Sequence, residues 1–186
     1  MSEEQHTGSS DSYFTLAGDV NSDMVRRVFE ALGKITRAGT RTAHVLLQSN
    51  GGYVSDGICL YNTLRNAPID IVMYNGGAVA SIAVTVFLAG QKRIASDTAR
   101  FMIHKSHATA PTGARPEALK IIAEGLMADD RRTEAILRRH VNLTQAMWNV
   151  HDHSDLHLTA QDALDTDLVH QLGDFMPPRG SQLFNM

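Results

Sequence analysis

The chain has 186 residues, with 17 basic and 20 acidic side chains and a net charge of −3 at pH 7. This is the size of one ordinary domain that buries its own core, and the nearly balanced charge gives no basis for binding nucleic acid or an anionic membrane surface. A single cysteine rules out an internal disulfide, and no apolar run is long enough to span a bilayer.

The N-terminal residues 1–12 are polar and acidic, and they lack the apolar region of a secretion signal. We therefore expect a disordered leader over residues 1–12 in a cytoplasmic protein. One domain over residues 13–175 and a C-terminal tail over residues 176–186 are expected to follow it.

Strands and helices alternate in the first half of the domain. The helical segments place apolar residues on one face, and the strand segments are short and apolar. This alternation predicts an α/β fold with a mostly parallel sheet and helices on its faces. In chain order, the expected elements are strand 13–16, helix 23–35 with Ser22 as its N-cap, strand 43–48, helix 54–65, strand 69–74, helix 80–89, strand 93–95 and strand 100–103.

The second half of the domain is dominated by one long helix. Pro116 is expected to open it, and it runs through His140 after an irregular segment over residues 107–115. A helix of this length in a small domain must project from the core or pack on another subunit. A short helix over residues 144–150 follows, and Thr159 with Asp162 forms a capping box for a last helix.

Ser81 follows a strand and the Gly76-Gly77 pair, and it stands at the start of an apolar run. A strand, a glycine turn and a serine in the first turn of a buried helix present a nucleophile beside the free N–H groups and positive dipole of the helix end. The same pattern fits a serine that only caps a core helix. Gly51-Gly52 and His104 also follow strands, and ligands of parallel sheets bind at the carboxyl ends of strands.

Four segments in chain order resemble motifs of the Clp protease proteolytic subunit family, and the resemblance covers about residues 13–172. No single motif is specific, but the four in this order are. They are residues 49–52 (SNGG), similar to the family's SPGG turn; residues 75–83 around Ser81; residues 101–105 (FMIHK), similar to its MIHQ strand end; and residues 154–163 (SDLHLTAQDA), similar to its RDxxLTAxEA stretch.

The resemblance implies a serine endopeptidase that needs no cofactor and no metal. Attack by a serine on an amide requires a base for the hydroxyl proton and a carboxylate to orient that base. The family motifs assign these roles to Ser81, His104 and Asp155. The chain order Ser-His-Asp differs from the orders found in α/β-hydrolases, chymotrypsin-like enzymes and subtilisins.

The remaining site residues are also implied by the resemblance. The backbone N–H groups of Gly52 and Ile82 are assigned to the oxyanion hole, and Gly51 and Tyr53 to substrate binding. Taken alone, Tyr53 is predicted to be a packing residue. Since His104 must be neutral to accept a proton, activity is expected to rise with pH through roughly pH 6.5 to 7.

The family fold is a Clp/crotonase-like arrangement of repeated β-β-α units with a mostly parallel sheet and a projecting handle, here over about residues 105–142. The resemblance implies peptide or unfolded protein substrates and a homo-oligomeric ring, a hexamer or a heptamer. Stacking of two rings and a Clp-type ATPase partner stay open. The expected lack of the N-terminal axial region, which leaves the pore ungated, argues against an ATPase.

Four positions depart from the family pattern. Asn50 replaces a proline, and Ser154 replaces an arginine used in ring-to-ring contacts, so stacking is expected to differ. His170 replaces the aspartate of the family's LVD sequence, and Asp167 replaces a glycine that ends the helix before it. Asp is among the few residues that tolerate the left-handed conformation of such a cap.

Three alternatives remain at this stage. One is a crotonase-type acyl-CoA hydratase or isomerase, which shares the architecture but uses carboxylates instead of a Ser-His-Asp set. Another is a non-catalytic subunit that assembles with active relatives. The third is a metal bound by the cluster His151, His153 and His157, because His151 and His153 would share one face of an extended segment with Asp155 nearby.

Overall fold

A computed structural model describes residues 11–186. The disordered leader expected over residues 1–12 therefore lies mostly outside the described residues, and residues 11 and 12 already belong to the first strand. The elements are β1 (Asp11–Ala17), α1 (Ser22–Arg37), β2 (Thr42–Ser49), α2 (Val54–Arg65), β3 (Asp70–Ala80), α3 (Ile82–Phe87), β4 (Lys92–Ala95), β5 (Arg100–Ile103), α4 (Pro116–His140), α5 (Gln145–His153), β6 (Leu156–Thr159), α6 (Ala160–Asp165), β7 (Gln171–Leu172) and β8 (Leu183–Asn185).

Within the described residues, eight strands form one sheet in the order β6-β5-β3-β2-β1-β8, with β4 paired to β3 and β7 paired to β4. Every pairing is parallel except that of β5 with β6. This arrangement confirms the predicted α/β fold with a mostly parallel sheet. The strands β6, β7 and β8 were not predicted.

The first helix shows why the sequence folds as it does. In α1, Met24, Val28, Leu32 and Ile35 are buried, and their spacing of three or four residues places them on one face of a helix. Its N-cap is Asn21, whose side chain accepts a hydrogen bond from the Met24 N–H group at 3.0 Å, so the predicted Ser22 cap is displaced by one residue.

Strand β3 is longer than predicted and changes partner along its length. Val72–Asn75 pairs with β4, and Ala78–Ala80 pairs with β5. The buried Asn75 side chain stabilises this change, because its amide donates to the Arg100 carbonyl at 3.0 Å and its oxygen accepts from the Gly77 N–H group at 3.0 Å. The predicted glycine turn and the helix start at residue 80 are therefore wrong. The strand runs through both glycines and ends directly before Ser81.

The long helix α4 has the predicted limits and projects from the domain. Only Ile136 and Leu137, near its C-terminal end, are buried. Leu119, Ile121 and Met127 are 43%, 69% and 57% exposed. Within residues 11–186, no helix is both long and apolar enough to cross a membrane.

The helix that precedes Asp155 is longer than predicted, since α5 continues to His153. Both ends of α6 agree with the sequence: Thr159 and Asp162 form the capping box at its start, and Asp167, just beyond its end, is left-handed with φ 60°.

Candidate active site

Ser81 lies at the junction of β3 and α3 in a strained backbone conformation. Its φ and ψ angles are 58° and −134°, in a region that side chains rarely occupy. The N–H group of Ser81 donates to the Met102 carbonyl at 2.7 Å. The Ser81 side chain makes no capping hydrogen bond to α3. The hydroxyl is therefore not a helix cap.

The Ser81 hydroxyl is instead bonded to His104, whose Nε2 lies 2.8 Å from Ser81 Oγ. The parallel register of β3 and β5 brings the two residues together, because Ala80 pairs with Met102 and both strands end just beyond this point. This distance is within the range required of a nucleophile and its general base.

Burial is the main influence on the His104 base, and it lowers the pKa of His104 below its ordinary value. The carboxylates of Asp155 and Asp130 act in the opposite direction, and His107 acts with burial. The His107 ring lies 5.1 Å from the His104 ring, centroid to centroid. A lowered pKa keeps His104 neutral and able to accept a proton at neutral pH.

The pKa shift of His104 predicts the pH dependence of activity. Because protonated His104 cannot act as a base and its pKa is lowered, the acidic limb of kcat/KM is expected below about pH 6.5, the ordinary pKa of histidine. This places the limb lower than the sequence-based estimate. Rates of peptide hydrolysis between pH 4 and 9 measure it, and a limb above pH 7 would contradict the burial argument.

Asp155 lies near His104 but is not bonded to it. The antiparallel pair Ile103 and Leu156 places Asp155 beside the end of β5. The side chain is exposed, and among the described residues no hydrogen bond joins the Asp155 carboxylate to the His104 ring. The Asp155 charge nevertheless raises the pKa of His104 against the larger effect of burial. The structure thus brings Ser81 and His104 into contact and leaves Asp155 as a neighbour.

The Gly51-Gly52 turn lies directly against Ser81. Its shape is fixed by two backbone hydrogen bonds, from the Val20 N–H group to Gly51 and from the Tyr53 N–H group to Val20, both 2.8 Å. Neither the Gly52 nor the Ile82 N–H group is bonded to another described residue, so both are free to bind a developing oxyanion. Ile82 is also the first residue of α3, where the N–H groups of a helix are unpaired.

Gly51 has no space for a side chain. Its φ of +109° favours glycine, and an added Cβ atom would lie 2.6 Å from Ser81 Cβ and 3.0 Å from Ser81 Oγ. Gly51→Ala is therefore expected to displace the nucleophile and to lower kcat on the order of 100-fold, the cost of a misplacement of about 1 Å.

Gly18→Ala is the matched control for Gly51→Ala. Gly18 has a φ of +108°, but nothing lies within 4 Å of an added Cβ atom. This variant carries the same backbone strain without the collision, so thermal unfolding should shift in both variants and kcat only in Gly51→Ala. Equal losses of kcat would attribute the effect to strain rather than to the nucleophile.

A cleft of about 350 Å³ opens beside Ser81 and His104. One wall is formed by α4, whose lining residues Leu126, Asp129, Thr133 and Leu137 repeat every three or four residues. Sequence analysis missed them, although this spacing indicates one face of a helix. Tyr53 lines the opening of the cleft and is 72% exposed. The prediction that Tyr53 is a packing residue, made from the residue type alone, is therefore wrong for the single chain.

The histidine cluster does not have the geometry required by the metal hypothesis. His151 and His153 belong to α5 and therefore do not share the face of an extended segment. His151 is buried against the edge of Trp148, with 5.5 Å between the ring centroids. Over residues 11–186, no group of three or more His, Cys, Asp or Glu side chains is arranged to hold a metal ion.

The strained Ser81, its bond to the His104 imidazole and the two unbonded amides beside it form the arrangement that nucleophilic attack on a carbonyl requires. The sequence model described as Clp protease matches residues 9–175. The chain therefore belongs to the Clp protease family, which confirms the resemblance found in the motifs.

Related proteins agree with this assignment. The ATP-dependent Clp protease proteolytic subunit 2 of Corynebacterium glutamicum is 31% identical over 132 residues, which cover 70% of this chain and 65% of that protein. The ATP-dependent Clp protease proteolytic subunit of Drimys granadensis is 30% identical over 149 residues, covering 73% of this chain and 70% of that protein. A solved ClpP1 mutant from Listeria monocytogenes shares the fold, with a TM-score of 0.76 at 18% identity over 88% of this chain and 91% of that one.

Proposed function

We propose that this chain is a serine endopeptidase that hydrolyses peptide bonds through Ser81, His104 and Asp155. The observation that carries the proposal is the 2.8 Å contact between Ser81 Oγ and His104 Nε2, made by a hydroxyl that does not cap its helix. The aligned segment spans 65% of the length of the C. glutamicum relative, so the activity is inferred from the site together with the family.

The first half of the reaction follows from the contacts around Ser81. A peptide in the cleft places its carbonyl carbon above Ser81 Oγ, and His104 takes the hydroxyl proton as Oγ attacks. The negative charge that forms on the carbonyl oxygen is bound by the N–H groups of Gly52 and Ile82. Removing one such donor typically costs on the order of 100- to 1,000-fold in kcat.

The second half reverses the role of the base. The protonated His104 gives its proton to the leaving amine, which frees the C-terminal product and leaves an acyl group on Ser81. Water then attacks this ester with His104 again as the base, and the second product leaves. Asp155 favours the imidazolium form that occurs in both steps, consistent with the direction in which it shifts the pKa of His104.

The shape of the cleft supports an extended peptide or an unfolded segment as substrate. Tyr53 lines the cleft, and Gly51 lies against Ser81. Apolar side chains from α3 and α4, including Val84, Leu126 and Leu137, line the interior of the cleft. An interior of this kind suits an apolar side chain of the substrate next to the bond that is cut.

We also propose that the chain works as a homo-oligomeric ring of six or seven subunits in the cytoplasm. The exposed apolar residues of α4, Leu119, Ile121 and Met127, are of the kind that mark an interface between subunits. Light scattering at neutral pH tests assembly, and an active species with the mass of one chain, 20.3 kDa, would overturn it. The relatives are named ATP-dependent, so a Clp-type ATPase is the partner to add when protein substrates are assayed.

Labelling with a fluorophosphonate tests the nucleophile directly, because this reagent reacts with an activated serine and not with an ordinary hydroxyl. One label per chain is expected on the peptide that contains Ser81, and prior reaction should block peptide hydrolysis. No labelling and no hydrolysis would favour a non-catalytic subunit.

The crotonase alternative receives no support from the site. In that class, carboxylates act on an acyl-CoA, whereas the group in contact with His104 here is a hydroxyl. Turnover of an enoyl-CoA by an unlabelled chain would restore the crotonase alternative.

A further inference from the structure

Lys105, the residue after His104, connects the end of β5 to both helices that flank it. Its ammonium group lies 3.2 Å from a carboxylate oxygen of Glu134 on α4 and 3.2 Å from one of Asp152 on α5. These three charges come from distant parts of the chain. Lys105 therefore bridges α4 and α5 at the point where the proposed base is attached.

The bridge is partly sheltered from water on its α4 side and more open on its α5 side. The side chains of Lys105 and Glu134 are 31% and 28% exposed, and that of Asp152 is 49% exposed. Burial disfavours the charged form of Lys105, but the hydrogen bonds that Lys105 donates to Asp152 and Glu134, together with the negative charges of these carboxylates, outweigh burial and raise the pKa of Lys105. One cation between two carboxylates is thus charged under all conditions in which a peptidase of this kind would work.

A second bond fixes the same segment. The N–H group of Ser106 donates to Asp130 Oδ1 on α4 at 2.7 Å. Residues 105 and 106 are thus bonded to two carboxylates on successive turns of α4. Neither Lys105 nor Ser106 can shift without breaking a charge-assisted hydrogen bond, and such bonds are stronger than neutral ones.

The bond to α5 connects Lys105 with the segment that carries Asp155. Asp152 lies in the last turn of α5, three residues before Asp155. The neighbouring His151 is 3% exposed and packs against Trp148, so this end of α5 is held in the core. A bond from Lys105 to Asp152 therefore fixes how far the start of β6, and with it Asp155, lies from His104.

We propose that Lys105 is a positioning residue that sets the distance and orientation of His104 relative to Asp155 by bridging α4 and α5. This inference rests on the proposed peptidase function. The family's MIHQ motif has an uncharged glutamine at this position, so the two-sided ion pair is a property of this chain. Lys105 lines the cleft, but among the described residues its ammonium group bonds to Glu134 and Asp152 and not to Ser81 or His104.

Loss of Lys105 should also change the pH profile of activity, which the loss of a lysine that only stabilises the fold would not do. The groups that influence His104 are Asp155 before β6, His107 in the following loop and Asp130 on α4; those around Lys105 are Glu134 on α4 and His151 and Asp152 on α5. Without Lys105, the carboxylates of Glu134 and Asp152 lose their cation and favour the imidazolium form of His104. The acidic limb of kcat/KM should then move to higher pH.

The test compares four variants in the assembled protein with a short peptide substrate. Lys105→Met is expected to lower kcat on the order of 10-fold, since a base misplaced by a fraction of an ångström reacts more slowly, with KM within about twofold and the acidic limb at higher pH. Lys105→Arg should restore most of kcat, because it can bridge both carboxylates. Asp152→Asn breaks only the bond to α5. It should lower kcat and move the acidic limb to higher pH, as Lys105→Met does, but by smaller amounts.

Lys120→Met is the matched control, because Lys120 forms an exposed pair with Glu124 on the same helix, at 3.8 Å. It should keep the wild-type kcat and pH limb. If Lys105→Met and Asp152→Asn also match the wild type, or if Lys105→Arg restores nothing, the inference is wrong. If Lys105→Met fails to fold, Asp152→Asn and Lys105→Arg decide. An inactive, unlabelled wild type would overturn the proposed function instead.

Discussion

Ser81→Ala is expected to reduce peptide hydrolysis by about 10⁴- to 10⁶-fold, as losses of a catalytic serine typically do. The substitution removes one oxygen atom that bonds to His104 and makes no hydrogen bond to the helix that it precedes. Because that hydroxyl caps nothing, its loss should leave folding and assembly intact. Initial rates with a fluorogenic peptide, together with light scattering and thermal unfolding, measure both parts.

Ser55→Ala is the control for this variant. Ser55 is an exposed serine in the first turn of α2, so its loss changes the same chemical group away from the cleft. It should retain wild-type activity and the fluorophosphonate label, whereas Ser81→Ala should lose both. A Ser81→Ala protein that keeps most of its activity would show that another group is the nucleophile.

The limits of several elements could be predicted because the chain marks their ends. Helix α4 has Pro116 in its first turn and basic residues in its last turn, and both are strong signals of helix ends. The limits of α2 were predicted equally well. The apolar run from residue 69 to residue 89 was divided wrongly, because periodicity cannot separate a buried strand from a buried helix.

Other features depend on partners that are distant in the chain. Strands β6, β7 and β8 have only two to four residues each, and such short edge strands are defined by the strand beside them rather than by their own sequence. The same holds for Lys105, whose partners lie on two later helices. Conversely, the pairing of Ser81 with His104 could be foreseen, because both residues follow strands of a parallel sheet and both match family motifs.

His104→Ala is expected to cost nearly as much activity as Ser81→Ala, because without the base the Ser81 hydroxyl keeps its proton. Asp155→Ala should cost less, since in the single chain the Asp155 carboxylate acts on His104 through its charge and not through a hydrogen bond. The loss of activity from Asp155→Ala should be larger if assembly brings the Asp155 carboxylate within hydrogen-bonding distance of His104. Measurement of kcat/KM for both variants, below and above the concentration at which rings form, tests this order.

The double variant His104→Ala with Asp155→Ala decides whether the two residues act as a unit. If Asp155 works only by stabilising the imidazolium form of His104, removing it from a protein that already lacks His104 should change nothing, and the losses should be far from additive. Asp174→Ala in the same His104→Ala background is the control for a second substitution, because it removes an exposed carboxylate that does not line the cleft. Losses from His104→Ala and Asp155→Ala that multiply would separate Asp155 from the triad and would leave Asp130, the other carboxylate that raises the pKa of His104, as the next residue to replace.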